Sequence, residues 1–447
     1  MSGDHHLVVG FGVTGRAVAR ALLAHGDAVT VVDDRPSADV RAAAQDLGVE
    51  LIEAPGEPRL RRLVEAACAV VPAPGLPARH PLFSLARRSG VPILSEFDLA
   101  ARWDDRPLVA VTGTDGKTTV VTLVCEMLQA SGRRALAVGN TEVPLVAAIE
   151  DPTFEVFVVE ASSFRLEHSQ HFAPEVAAWL NFAPDHLDSH PDLVAYEAAK
   201  ARIWAEQAAD QVAVGNADDP VVARHLAGAP GRRVSFSAGG DADFRVAGRG
   251  QGRGRLVGPG GVELCEVGEL PRAFPHDVAN GLAAAATAMA GGASAGGVRE
   301  ALLSFRGLRH RVELVGEAGG VRYYDDSKAT TPHAAAAAVA GFESVVLICG
   351  GRNKGLDLGA LAEAAGSVRA VVAIGEAAGE VEAAFAGVRP VRRAASMDDA
   401  VRESAALASP GDAVLLAPGC ASFDWYGSYG ERGDDFARAA RDLVGAT

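Results

Sequence analysis

Short apolar runs recur along this chain, separated by alanine-rich stretches of helical length: Leu7–Val9, Val29–Val32, Ala69–Val71, Leu108–Thr112, Val156–Val159, Val176–Leu180, Val345–Ile348, Val371–Ile374 and Ala413–Leu416. Strands that brief, apolar on both faces and alternating with helices, build parallel sheets covered on both sides. The runs fall into three clusters, which predicts an α/β chain of three domains. These are a Rossmann-like domain over 1–104, a central domain with a mostly parallel sheet over 105–308, and a second Rossmann-like domain over 309–447. The first break is set at the charged stretch Ala101–Pro107, and the second near Phe305–His310. A length of 447 residues suits that count, and 49% hydrophobic content supplies the cores.

Composition removes several function classes. A formal charge of -15 disfavours a phosphate-backbone binder, which needs a basic surface, so no nucleic-acid partner is expected. Cys68, Cys125, Cys265, Cys349 and Cys420 are scattered without a Cys-x-x-Cys pair, so neither a disulfide framework nor a zinc site is indicated. The chain enters Leu7-Val8-Val9 without a basic start, a long apolar region and a cleavage site, and no run approaches the roughly 20 apolar residues of a membrane helix. A cytoplasmic protein is expected, with no membrane span. The tract Ala247–Leu256, rich in Arg and Gly, resembles an RNA-binding segment. In an acidic chain, and between candidate strands, it reads instead as a surface hairpin loop.

Two glycine loops carry the chemistry. Gly10-Phe11-Gly12-Val13-Thr14-Gly15 follows a strand and opens a helix, and Asp33 ends the next strand about 20 residues on, as in a dinucleotide fingerprint with its ribose-binding acid. A NAD-dependent dehydrogenase is one reading, and a tight turn that binds nothing is another. A dehydrogenase, however, has no need of a second phosphate loop. That second loop is Gly113-Thr114-Asp115-Gly116-Lys117-Thr118-Thr119, between the strand Leu108–Thr112 and an apolar helix over Val120–Ala130. Its glycines free backbone N–H groups to face phosphates, Lys117 can bridge the β- and γ-phosphates, and the Thr118 hydroxyl can ligate Mg²⁺. Val111 stands where the general phosphate-loop pattern has its first glycine, so the narrower Gly-Thr-x-Gly-Lys-Thr-Thr form applies.

Magnesium favours hard oxygen ligands, and Glu160 ends the buried run Val156–Val159 where a parallel sheet places its sites. The run Val176–Leu180 leads likewise into Asn181-Phe-Ala-Pro-Asp185-His186-Leu-Asp188, making His186 a second strand-end candidate. After Pro191, a favourable helix start, Leu193, Tyr196, Lys200 and Ile203 share a helical stripe. A lysine on that stripe has two readings. Desolvation leaves a neutral amine that can take up CO2 as a carbamate and so become an anionic metal ligand; alternatively the side chain snorkels to solvent.

Gly-Thr-x-Gly-Lys-Thr-Thr, Glu-x-Ser-Ser-Phe, Asn-x-x-x-Asp-His-Leu-Asp, Tyr-x-x-Ala-Lys and a later Asp326-Ser-Lys-Ala-Thr330 occur here in that order. In that combination, spanning essentially the whole chain, the sequence resembles the Mur ligase family. Within the family, Glu160-Ala-Ser-Ser-Phe-Arg-Leu166, Gly350-Gly-Arg-Asn-Lys354 and Pro418-Gly-Cys-Ala-Ser422-Phe-Asp424 are most similar to the member that adds D-glutamate to UDP-N-acetylmuramoyl-L-alanine. The resemblance implies a UDP-substrate-binding first domain, an ATP-binding central domain and an amino-acid-binding third domain that closes onto ATP. It also implies an ATP-dependent amide ligase working through an acyl phosphate, as a monomer, in peptidoglycan precursor synthesis.

Carried onto this numbering, it assigns ATP to the loop Gly113–Thr119 and to Asn280, Arg311 and Asp326. One Mg²⁺ falls to Thr118 and Glu160, and a second to His186 and carbamylated Lys200; Lys117, His186 and Lys200 form the catalytic set. The UDP-substrate falls to Gly12, Val13, Thr14, Gly15, Asp33, Pro74, Gly75, Asn140 and Ser162, and D-glutamate to Lys328, Thr330, Lys354, Ser422 and Tyr429. Several positions depart from the family pattern. Asp115 replaces Asn, Ala73 replaces Ser, Arg165 stands where Gln is common, and Asp277 takes an Asn position. Ser189 follows the Asp-His-Leu-Asp motif where Arg or Trp is frequent, Glu142 ends the Gly-Asn turn, and Tyr429 replaces Phe. The competing readings are a related ligase adding L-glutamate, another amino acid or glutamate to folate, a two-nucleotide binding module without chemistry, and the dehydrogenase.

Overall fold

The computed structural model describes residues 3–186, 189–248 and 254–445. Apolar runs become strands where both faces are covered. The first sheet consists of β1 (His5–Val9), β2 (Ala28–Asp33), β3 (Glu50–Glu53) and β4 (Ala69–Pro72), in the order β3-β2-β1-β4 with every pairing parallel. The helix Val13–Ala24 leaves β1 through Gly10, which takes φ 92. A Cβ there would lie 2.6 Å from that of Ala73, so the close approach of two loops requires glycine.

The second sheet contains β5 (Leu108–Thr112), β6 (Ala135–Gly139), β7 (Val156–Glu160), β8 (Val176–Trp179), β9 (Val212–Asn216), β10 (Arg232–Ser237), β11 (Phe244–Ala247), β12 (Arg255–Val257) and β13 (Glu263–Glu266). Their order is β13-β12-β11-β10-β9-β8-β5-β7-β6, parallel from β6 through β11 and antiparallel over β11-β12-β13. β11 and β12 pair as the flanks of the expected hairpin; residues 249–253 of the Arg-Gly tract lie outside the described residues. Leu187 and Asp188 of the Asp-His-Leu-Asp motif also lie outside them.

β14 (Glu313–Ala318), β15 (Val321–Asp325), β16 (Val345–Gly350), β17 (Val368–Ile374), β18 (Val391–Arg393) and β19 (Ala413–Leu416) form the third sheet. It runs β14-β15-β19-β16-β17-β18, parallel except for the β14-β15 pair. Three mostly parallel sheets match the α/β expectation. Two compact units contain them. The first holds both N-terminal sheets, with residues up to Phe182, Ser189–Glu266 and Asn280–Leu303; the second holds the third sheet together with Ala183–His186 and Val267–Ala279. Among the described residues, no helix is long and apolar enough to cross a membrane, and all five cysteines are free thiols.

Candidate active site

Parallel strands deliver their C-terminal ends to one edge of a sheet, where backbone groups lose their ladder partners and ligands bind. In the second sheet β5 lies between β7 and β8, so Thr112, Glu160 and Trp179 reach that edge side by side. The phosphate loop follows β5 directly, and the helix Lys117–Ala130 begins after Gly116, its N-cap, at φ 83. A Cβ on Gly116 would approach the Asn280 amide oxygen to 2.7 Å, so glycine here admits the Asn280 side chain to the loop. That places Asn280 beside the loop it was assigned to serve.

Asn181 props the loop from the end of β8. Its amide oxygen accepts from the backbone N–H groups of Thr114 and Asp115, both at 2.9 Å, while its amide nitrogen donates to the Asp115 carbonyl at 3.1 Å. Lys117 Nζ donates to the carbonyls of Gly113 and Thr114 at 2.9 and 2.8 Å. Thr114 is buried, with its hydroxyl 3.3 Å from the Tyr196 hydroxyl, whereas Asp115 is half-buried. Asn181 belonged to a quoted motif, but only its geometry reveals this supporting role.

Burial removes one of the two readings of Lys200. The helix spans Leu193–Ala201 and is capped by Asp192, whose carboxylate accepts from Ala195 N–H, so Pro191 precedes the cap rather than starting the helix. Leu193 is exposed, but Tyr196, Lys200 and Ile203 are buried, and Lys200 is only 1% exposed. Snorkelling is thereby ruled out. Nζ donates to the Gly113 carbonyl at 2.6 Å and sits 4.6 Å from the centre of the Tyr196 ring.

Glu160 is also buried; its Oε1 accepts from the Asn140 amide at 3.0 Å, while Oε2 has no hydrogen-bond partner among the described residues. The Ser162 hydroxyl is also buried and, among the described residues, has no hydrogen-bond partner. An orphaned carboxylate oxygen at a strand end, one strand from a phosphate loop, is a hard anionic donor suited to a divalent cation. In the first sheet, Asp33 Oδ2 accepts from Phe11 N–H at 2.9 Å, tying the end of β2 to the glycine loop. Thr14 accepts from Arg165 Nη2 at 3.1 Å, and Pro74 lines a small cavity with Thr14 and Gly15.

In the second unit, His186 takes a left-handed backbone at φ 55, and its Nε2 lies 3.3 Å from Asp185 Oδ2. Asp185 Oδ1 accepts from Lys354 Nζ at 2.9 Å, so an expected amino-acid-binding lysine is paired beside an expected metal ligand. Lys328 Nζ stands 3.8 Å over the Tyr429 ring, and the Tyr429 carbonyl accepts from the Ser327 hydroxyl at 2.8 Å. Ser422 is buried, and Thr330 N–H donates to the Lys328 carbonyl at 2.8 Å. Lys328 and Tyr429 therefore share one neighbourhood.

Asp326 is buried, which pushes its carboxyl well above the usual range; Arg311 opposes that shift. Arg272, which sequence reasoning passed over, donates to the Arg311 carbonyl at 2.6 Å and lies 3.3 Å from the Asp277 carboxylate. His310 was missed as well. It adopts φ 59, and its Nδ1 lies 2.6 Å from Asp325 Oδ2, a bond that raises the imidazole pKa.

Three family descriptions cover most of the chain. Residues 4–95 match the Mur ligase MurD-like N-terminal domain, 111–288 the Mur ligase middle domain, and 310–420 the Mur ligase glutamate ligase domain. The chain belongs to the Mur ligase family. As a Mur ligase it is an ATP-dependent ligase, and its relatives include UDP-N-acetylmuramoylalanine--D-glutamate ligases. That of Frankia casuarinae is 46% identical, over 98% of this chain and 94% of its own length; that of Desulfosudis oleivorans is 41% identical, over 98% and 96%.

Solved Mur ligases share the fold. UDP-N-acetylmuramate-alanine ligase MurC of Thermotoga maritima superposes with a TM-score of 0.60 at 19% identity, covering 98% of this chain and 99% of that one. MurF ligase of the same organism, in complex with ADP, gives 0.60 at 16% identity, over 100% and 96%.

Proposed function

We propose that this Mur ligase joins D-glutamate to UDP-N-acetylmuramoyl-L-alanine at the expense of ATP, a step of peptidoglycan precursor synthesis, acting as a cytoplasmic monomer. The observation that carries the reading is the placement of three residues about one phosphate loop, two with side chains against it and one a carboxylate on the neighbouring strand. Lys200 closes on Gly113, Asn280 abuts Gly116, and Glu160 ends the strand next to β5. Full-length relatives that carry the D-glutamate ligase name support the choice of amino acid.

In this reading the alanyl carboxylate attacks the γ-phosphorus of ATP, forming an acyl phosphate as the bond to ADP breaks. The D-glutamate amine then attacks the acyl carbon, loses a proton and expels phosphate. Loop N–H groups and Lys117 offset the charge that develops on the transferring phosphoryl group. Asn280, Arg311 and Asp326 bind the rest of ATP. Gly12, Val13, Thr14, Gly15, Asp33, Pro74 and Gly75 hold the uridine diphosphate, and Asn140 and Ser162 the sugar and its acyl arm. Lys328, Thr330, Lys354, Ser422 and Tyr429 receive D-glutamate. The proposed domain limits are 1–104, 105–308 and 309–447.

The unpaired oxygen of Glu160 suits one magnesium ion, and the family resemblance implies a second. Glu160 with its unpaired Oε2, together with Thr118, would hold one; His186 and a carbamate on Lys200 would hold the other. Magnesium would neutralise phosphate charge. As an ammonium, Lys200 can only donate; once it gives up a proton, the neutral amine would add to the carbon of CO2 and lose a second proton, leaving an anionic carbamate oxygen as a ligand. Phosphate release, measured with ATP, UDP-N-acetylmuramoyl-L-alanine and in turn D-glutamate, L-glutamate, lysine and diaminopimelate, tests the function. D-glutamate alone should support turnover, and no release with it would overturn the reading.

A further inference from the structure

Arg165 and Glu96 form an ion pair whose side chains are 5% and 1% exposed. The pair joins segments that are distant in sequence. Arg165 lies in the short helix Ser163–Glu167, directly after Glu160 and Ser162, and Glu96 opens the helix Glu96–Trp103. Glu96 Oε2 also accepts from Val146 N–H at 3.3 Å, in the helix that follows the Asn140 turn. Arg165 Nη2 donates to the Thr14 hydroxyl at 3.1 Å, in the first turn of the helix after the first glycine loop. One buried pair thus ties together the Thr14, Asn140 and Glu160 loops.

The guanidinium does not itself meet a large anion. The cavity beside it, lined by Thr14, Gly15, Pro74, Phe164, Arg165 and His168, measures about 10 Å³ and has room for about one water but not for a phosphate. Among the described residues Arg165 Nε has no hydrogen-bond partner and Nη1 meets the Glu96 carboxylate only as an ion pair; this cost to a buried guanidinium is offset by the ion pair and by the Nη2 bond to Thr14. Burial pushes the guanidinium pKa down to about 10, still leaving it charged near neutral pH.

We propose that the Glu96–Arg165 pair is a positioning device that sets the span between the first glycine loop and the Asn140–Glu160 loops, and so selects acceptors carrying both a nucleotide and an acyl arm. The inference rests on the proposed function and deepens it. A ligand anchored at both ends turns the binding energy of its remote nucleotide into placement of the reacting carboxylate, but only if the two anchors keep their separation. Arg165 and Glu96 act through Thr14 and the neighbouring loops, and are positioning residues.

The test is calorimetric binding of three ligands to the wild type, R165Q and the double variant E96Q/R165Q, which leaves no lone buried charge. The ligands are UDP-N-acetylmuramoyl-L-alanine, UDP alone, and N-acetylmuramoyl-L-alanine without nucleotide. Both variants should bind the two-ended ligand about tenfold or more weakly, while affinity for each half stays within about threefold. Affinities that fall in parallel for all three ligands, or that do not change, would overturn the proposal. Wild-type protein that fails to bind the two-ended ligand would instead remove the function on which it rests.

Discussion

The Lys200 ammonium lies 2.6 Å from the Gly113 carbonyl oxygen, so a residue of the helix Leu193–Ala201 closes the first bend of the phosphate loop. The loop and the buried lysine form one structural unit, and the ligation chemistry is expected to depend on both.

Replacing Lys200 with Ala removes that contact and the candidate carbamate together. Turnover should fall by about 10²-fold or more, the scale of losing one preorganised charge-stabilising group. Bicarbonate should stimulate the wild type, and short carboxylates should partly restore the variant. A K200A enzyme with near-normal turnover would rule out the carbamate.

Asn181→Ala should weaken ATP binding with little change in fold. It strips the side-chain acceptor from the N–H groups of Thr114 and Asp115 and the donor from the Asp115 carbonyl, so the loop loses that prop. Each such hydrogen bond is worth about 0.5–1.5 kcal/mol, so loss of loop order equivalent to one of them should raise the Kd for ATP by about 2- to 12-fold. Titration with a non-hydrolysable ATP analogue measures this directly.

Asp115 places an extra carboxylate on a loop meant for triphosphate. Asp115→Asn should leave ATP affinity similar or raise it, because like charges no longer meet. A loss greater than about tenfold, or about 1.4 kcal/mol, would show that the aspartate performs a positive task.

The hydrogen bond from His310 to Asp325 raises the imidazole pKa above its ordinary 6.5. Because the folded-state pKa is the higher one, the stabilisation is complete below 6.5 and fades as pH rises through the folded value. Urea midpoints should therefore separate wild type from His310→Gln more at about pH 6 than at about pH 9. An equal gap at both would contradict the link.

The phosphate loop was legible because it has only local requirements: an apolar strand, glycines that turn the chain, and a lysine opening a helix. β5 runs over Leu108–Thr112 as read, and the helix starts at Lys117 rather than Val120. β6, Ala135-Leu-Ala-Val-Gly139, was not found, because alanine alternating with aliphatic residues reads equally as helix. β12 has three residues, and β14 is part-exposed, so neither displays an apolar run. Lys200 shows where local pattern gives way to tertiary structure. Periodicity placed it on the buried stripe, but its acceptor, Gly113, lies 87 residues away and only the folded sheet brings the two together. The same holds for Arg272 against Arg311 and for Glu96 against Arg165, where neither partner announces the other.

The most direct test of the central claim follows oxygen from the acceptor carboxylate. UDP-N-acetylmuramoyl-L-alanine labelled with ¹⁸O in its alanyl carboxylate is incubated with ATP and D-glutamate, and the released phosphate is examined by ³¹P NMR. An acyl-phosphate route transfers one labelled oxygen to each phosphate, and only when the acceptor and D-glutamate are both turned over. Unlabelled phosphate accompanying amide formation would contradict it.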